Sequence, residues 1–212
     1  MSLFQGKYRV ESTRLPGYDY SGDGYYFVTI CVKDRGFYLG FVRDGNMYLN
    51  EYGMIVQQCW FDLPNHYTNL RLDEFVVMPN HIHGIMVIDN AGTGGDNTHT
   101  DRDNGQVETG FKPVSTVDSP HHVARNAPDS PNHVARNAPD SHTPIPGNHG
   151  LFEFVRALKT FSSRQINSVR GTKGRAVWQS RFYDRIIRDE EALQRVRSYI
   201  RNNPKAWSHD HP

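Results

Sequence analysis

Apolar and polar positions along this chain change period several times, and each change predicts an element. Tyr25-Tyr26-Phe27-Val28-Thr29-Ile30-Cys31-Val32 is β-branched and aromatic, the clearest strand of the first third. Phe37 to Val42 and Met47 to Asn50 predict a hairpin closed by Arg43-Asp44-Gly45-Asn46. Glu51 to Leu63 carries Ile55, Cys59 and Phe61-Asp62-Leu63 at the spacing of a helix face. Arg71 to Met78 predicts the next strand, and Pro79-Asn80 a tight connection into the following one. From Ile82 to Ile88 both faces are apolar, as expected of a central strand covered on both sides.

The pattern resumes at Leu151, where Leu151, Val155 and Leu158 mark a helical stripe. Arg181 to Arg188 predicts a strand. Asp189 to Pro204 predicts a helix, with Asp189 as N-cap, Glu190 and Glu191 at the positive end and Pro204 as the stop. Leu193, Val196 and Ile200 form its core-facing stripe. The order is strand, helix, two strands, helix, strand, helix, with an extra early hairpin. That split β-α-β pattern predicts an α+β fold, a ferredoxin-like antiparallel sheet with helices packed on it.

Between these halves the composition shifts to Gly, Asp, Asn, His, Pro, Ser and Thr. Within it, Asp118 to Pro128 recurs as Asp129 to Pro139 with one His-to-Asn change. Two copies fall short of a solenoid, and the prolines work against a continuous helix. Residues 92–149 are therefore expected to be a disordered, low-complexity insertion within a single domain spanning residues 1–212.

Composition adds less than distribution. Hydrophobic content is 37% and net charge +1, which points to no partner. Residues 150–207, however, hold 13 Lys/Arg against 5 Asp/Glu, while residues 1–149 hold 11 against 17. Such asymmetry fits either a nucleic-acid surface or a solvated face. Arg170-Gly171-Thr172-Lys173-Gly174-Arg175 is a basic loop suited to phosphates. Cys31 and Cys59, the two cysteines, show neither metal-ligand spacing nor a disulfide framework. The N-terminus lacks a signal-peptide pattern and no apolar run has the length of a membrane span, so a cytoplasmic protein with no membrane partner is expected.

The candidate chemistry lies in Met78-Pro79-Asn80-His81-Ile82-His83. Side chains alternate along a strand, so His81 and His83 share a face and could hold one metal ion, or simply be two hydrogen-bonded histidines. Tyr199 sits at the edge of the last helix's stripe, with Asn203 one turn further on. It is either an amphipathic tyrosine on a core helix or a group aimed into a shared site.

Three stretches in order, Val77-Met78-Pro79-Asn80-His81-Ile82-His83, then Trp178-Gln179 with Phe182-Tyr183-Asp184-Arg185-Ile186-Ile187-Arg188-Asp189-Glu190, then Tyr199-Ile200 with Asn202-Asn203-Pro204, resemble the HUH single-strand DNA nucleases, specifically the REP-associated single-tyrosine transposases. The resemblance covers about residues 20–90 and 150–207. It implies the same ferredoxin-like fold, Mg²⁺ or Mn²⁺ held by His81 and His83 with Asn203 as third ligand or near-ligand, and Tyr199 as nucleophile. The product would be a 5′-phosphotyrosine and a free 3′-hydroxyl. Of the two ions, Mn²⁺ suits paired imidazoles better.

Single-stranded or hairpin-forming, repeat-derived DNA is the implied partner. Arg156, Lys159, Lys173, Arg175, Arg181 and Arg185 are candidates for backbone contacts. Phe161, Trp178 and Tyr183 could stack on unpaired bases. Core packing competes with that role, more for Phe161 and Phe182 than for Trp178. A non-catalytic nucleic-acid-binding module of the same fold, and a metal-binding protein built on the histidines, are the competing readings. The resemblance admits a monomer or a homodimer.

Overall fold

The computed structural model describes residues 3–4, 7–8, 15–93 and 147–207. The expected 92–149 insertion lies, apart from its margins, outside the described residues. The elements run β1 (Leu3–Phe4), β2 (Lys7–Tyr8), β3 (Gly24–Cys31), β4 (Gly40–Arg43), β5 (Asn46–Leu49), α1 (Glu51–His66), β6 (Leu70–Met78), β7 (His81–Ile88), α2 (Leu151–Val169), β8 (Tyr183–Ile187) and α3 (Glu190–Ala206).

Four strands make the main sheet in the order β6-β7-β3-β8, every neighbour antiparallel. Two interleaved units, β3-α1-β6 and β7-α2-β8, generate that order, which is the ferredoxin-like arrangement. On one face, Tyr26, Val28 and Ile30 of β3 and Ile82, Met86 and Ile88 of β7 are buried in the core. The helices α1 and α2 pack against each other. Trp60 of α1 lies flat beside Phe75, centroids 4.4 Å apart, and its indole occupies the space a side chain at Gly84 would need. Gly84→Ala is therefore expected to destabilise the protein by about 1–3 kcal/mol, the usual penalty of overpacking, read as a lower Tm.

The small hairpin β4–β5 turns at Asp44-Gly45, whose φ values of 51° and 71° are those of a two-residue connection, the middle of the four residues expected to close it. Asn50 and Asp189 cap α1 and α3, accepting from the N–H groups of Gly53 at 3.0 Å and Ala192 at 2.7 Å.

Several expected boundaries are corrected, the first hairpin strand beginning at Gly40 and not at Phe37. Helix α1 continues past Leu63 to His66 with Pro64 inside it, and α3 runs through Pro204 to Ala206. A proline in a helix's final turn removes one amide, and its fixed φ suits the helix, so it need not end there. Strand β8 runs Tyr183–Ile187, shorter than Arg181 to Arg188, and just ahead of it Lys159 Nζ takes the carbonyls of Gln179, Ser180 and Arg181 at 3.0, 3.4 and 3.1 Å.

Helix α3 docks near β6 and β7 through two ion pairs and the Tyr199 contact. Arg197 donates from Nε to Asp73 Oδ1 at 2.9 Å and from Nη2 to Asp73 Oδ2 at 2.5 Å, and Arg201 reaches Glu74 Oε1 at 2.9 Å. Burial would raise the Asp73 carboxyl, but the Arg197 hydrogen bonds, the Glu74 N–H and the neighbouring guanidinium charges outweigh it and hold the group below its ordinary range. A depressed folded-state value means the stabilisation is complete above the unfolded carboxylate value of about 3.9 and is lost as pH falls through the folded one. Asp73→Asn should thus lower Tm at pH 7, with the difference from the parent protein vanishing in strong acid.

Candidate functional site

Strand β7 presents His81 and His83 on the face opposite Ile82, as the alternation predicts. Their Nε2 atoms converge to 3.0 Å. Each ring is fixed from behind. Asn80 Oδ1 lies 2.6 Å from His81 Nδ1, and since a carboxamide oxygen only accepts, Nδ1 carries the proton and Nε2 keeps its lone pair. Asn80 is itself oriented by donating from Nδ2 to Arg35 O at 3.4 Å. Thr29, directly across the sheet from His83, places Oγ1 2.8 Å from His83 Nδ1. Phe27 stacks on the His83 ring at 5.3 Å.

Helix α3 brings Tyr199 over this pair. Its hydroxyl is 3.2 Å from His83 Nε2, its ring is edge-on to Phe27 and His83, and half of the residue is exposed. Leu193, Val196 and Ile200 are buried along the adjoining stripe, so core packing sets the rotation of the helix that aims the phenol.

Burial drives both imidazoles towards the neutral form. For His81 it acts with the nearby Arg35 charge and lowers the value to about 4; for His83 it acts with His81 and lowers it to about 3. A neutral ring carries its proton on one nitrogen and keeps a lone pair on the other, as a metal ligand must. The pair also fits a metal by geometry: two adjacent ligands at about 2.1 Å from one ion, at a right angle, lie about 3.0 Å apart. The outer partners Asn80 and Thr29 are of the kind that orient ligating histidines. His83 Nδ1–H can donate to Thr29 Oγ1, which frees Nε2. Among the described residues no group of three or more His, Cys, Asp and Glu side chains is placed to hold a metal. The half-buried Asn203, expected as third ligand, makes no side-chain hydrogen bond to either imidazole among those residues.

The expected DNA-contacting residues divide into two groups. Arg156, Lys159, Lys173, Arg175 and Arg181, joined by Arg164, line a groove of about 1050 Å³ between α2 and residues 171–182, and none of the described residues in its wall is acidic. Lys159 spends its donors on the loop carbonyls, so its part there is to shape the wall. Tyr183 and Arg185 are instead exposed on β8, on the sheet face of His83, Tyr183 standing opposite Thr29. The ranking of the aromatic rings is corrected. Trp178 is only 6% exposed and donates Nε1–H to Ser162 Oγ at 2.9 Å, so it packs in the core, whereas Phe161 and Phe182 are half-buried. Residues 177–179 run beside the end of β3, Gln179 N–H donating to Cys31 O and Lys33 N–H to Val177 O, which draws the indole inward.

Thr29, Asn80 and Phe27 were not singled out by the sequence. An asparagine preceding the first histidine was a visible signal for Asn80. Thr29 and Phe27 depend on strand register, which no local pattern gives.

An antiparallel α+β sheet whose central strand presents two converging imidazoles to a helix-borne phenol defines the class of protein. The chain is 30% identical over 209 residues to an uncharacterised Haemophilus influenzae protein, covering 97% of this chain and 93% of that one, and it belongs to the same family. No protein-family model matches it. Solved structures similar to it include two transposases. One is a REP-associated tyrosine transposase bound to a REP hairpin, 15% identical, covering 92% of this chain and 74% of that one with a TM-score of 0.47. The other is a presumed transposase of Deinococcus radiodurans, 16% identical, covering 90% and 97% with a TM-score of 0.39. Among the described residues no helix is long and apolar enough to cross a membrane.

Proposed function

We propose that the protein is a transposase-type endonuclease and strand transferase that cuts single-stranded DNA through a tyrosine nucleophile. The observation that carries this reading is the Tyr199 hydroxyl, 3.2 Å from the imidazole nitrogen that also converges on His81. His81 and His83 would hold Mg²⁺ or Mn²⁺, with Asn203 the remaining protein candidate. When bound, the ion supplies positive charge beside the phosphate oxygens, where negative charge grows during displacement.

The chain's own residues do the rest. Asn80 and Thr29 hold the imidazoles in the ligating orientation. Tyr199 Oη, its proton lost, forms the new bond to phosphorus as the bond to the 3′-oxygen breaks. That oxygen takes up a proton, leaving a 5′-phosphotyrosine and a free 3′-hydroxyl. Because one phosphoester replaces another, the strand can be rejoined without ATP. Arg156, Lys173, Arg175 and Arg181 would neutralise phosphates along the groove, and Tyr183 with Arg185 would meet the strand on the open sheet face.

The motif resemblance makes hairpin-forming, repeat-derived DNA the first substrate to try. End-labelled hairpin DNA incubated with the protein and Mn²⁺ should give a band of reduced mobility on a denaturing gel, sensitive to protease and prevented by EDTA. Salt-sensitive binding with no such band under any divalent metal would favour a non-catalytic binding module instead.

A further inference from the structure

Where Cys31 faces His81, the chain leaves β3 and turns through residues 33–37 before β4. Asp34 and Arg35 both take left-handed backbones, with φ of 59° and 52°, which residues with a Cβ rarely adopt twice in succession. Such strain persists only where surrounding contacts enforce it. Here Val32 N–H donates to Asn80 O at 2.9 Å, Lys33 N–H to Val177 O at 2.7 Å, and Asn80 Nδ2 to Arg35 O at 3.4 Å. Asn80 also orients His81, so the turn and the imidazole share one anchor.

The turn presents four exposed side chains, Lys33, Asp34, Arg35 and Phe37, and the last two combine a guanidinium with a flat ring. Arg35 forms no ion pair among the described residues, and its charge is felt at both His81 and Cys31. Phe37 leaves half its surface in solvent while its ring meets Trp207 edge-on at 5.8 Å. Trp207, at the end of the helix that carries Tyr199, lies 5.9 Å from the His81 ring. A line of rings thus runs from the histidine pair to an exposed phenyl face, and the exposed Arg35 stands two residues before that phenyl on the same turn. A second aromatic pair, the exposed Phe41 and Tyr48, stacks on itself at 5.3 Å beneath Arg43 and has no ring contact with His81 or His83.

We propose that Arg35, Phe37 and Trp207 form a nucleotide-holding subsite beside the histidine pair, the rings stacking on an unpaired base that flanks the scissile phosphate and the guanidinium pairing with that nucleotide's phosphate. A flat ring next to an anion is what this juxtaposition of rings and cation complements, and an unpaired strand is what the proposed reaction brings there. The assignment rests on that reaction. It adds that one flanking base is held by its aromatic face, whatever its identity.

Single-turnover adduct formation with Mn²⁺, on DNA carrying one abasic position at a time around the cut, tests it. The parent protein should slow by about tenfold at one flanking position, the scale of a lost base–aromatic stack. Phe37→Ala, and separately Trp207→Phe, should slow the reaction on intact DNA but lose nothing further at that position. Arg35→Ala should be slowed on the phosphodiester and not on DNA with a neutral methylphosphonate in the flanking linkage. A ring that served packing alone would lower Tm and slow every DNA equally. That result, or a Phe37→Ala rate equal to the parent's, overturns the subsite. Absence of adduct with every DNA would remove the reaction and the subsite together, whereas adduct formation indifferent to all abasic positions removes the subsite alone.

Discussion

Tyr199→Phe protein is expected to bind hairpin DNA as tightly as the parent protein and to form no covalent adduct. The substitution removes one oxygen. The phenyl ring keeps its edge-on contacts with Phe27 and His83, and the buried stripe of Leu193, Val196 and Ile200 still fixes the helix. Only the 3.2 Å contact to His83 Nε2 is lost. Since Tyr199 is half exposed, the surface change costs little stability, and Tm should move by no more than a few degrees. Loss of a nucleophile is all-or-none for the covalent product, unlike loss of a positioning group. A gel-shift titration beside a denaturing gel separates the two quantities. An adduct formed by the Phe protein would place the nucleophile elsewhere and end the assignment.

His81→Ala and His83→Ala should each reduce adduct formation by at least about a hundredfold, since even the outer partners of a metal ligand are worth 10–100-fold. Calorimetric titration of Mn²⁺ without DNA should show weakened binding in both variants. The two need not be equal in stability. His83 is 5% exposed, stacked by Phe27 and bonded to Thr29, so its removal leaves a cavity and an unpartnered hydroxyl. His81 is less buried, bonded to the buried Asn80 and beside the half-buried Trp207. Lower activity with unchanged Mn²⁺ binding would assign the imidazoles to packing or proton transfer.

The amino-acid pattern carried a large part of this structure. A β-branched and aromatic run located β3, a run apolar on both faces located β7, and Asp44-Gly45 located the hairpin turn. Asp189 located the start of α3, and its apolar stripe identified the buried face. These are local properties, set by backbone preference and the spacing of apolar side chains. Where local rules failed, a distant partner intervened. Lys159 took the carbonyl of Arg181, where β8 was expected to start, and Ser162 offered the acceptor that lets Trp178 sink into the core. Neither partner is near its target in sequence.

For the site the division is similar. His81 and His83 share a face because a strand alternates, and that was fixed by their being two residues apart. That Tyr199 stands over them, 116 positions away in sequence, follows from the sheet order β6-β7-β3-β8 and from the Arg197–Asp73 and Arg201–Glu74 pairs that seat α3. Sequence by itself determined which chemical groups are available and which way each points from its own backbone. Tertiary structure alone decided which of them meet, because strand register and helix docking are settled by the simultaneous burial of residues far apart along the chain.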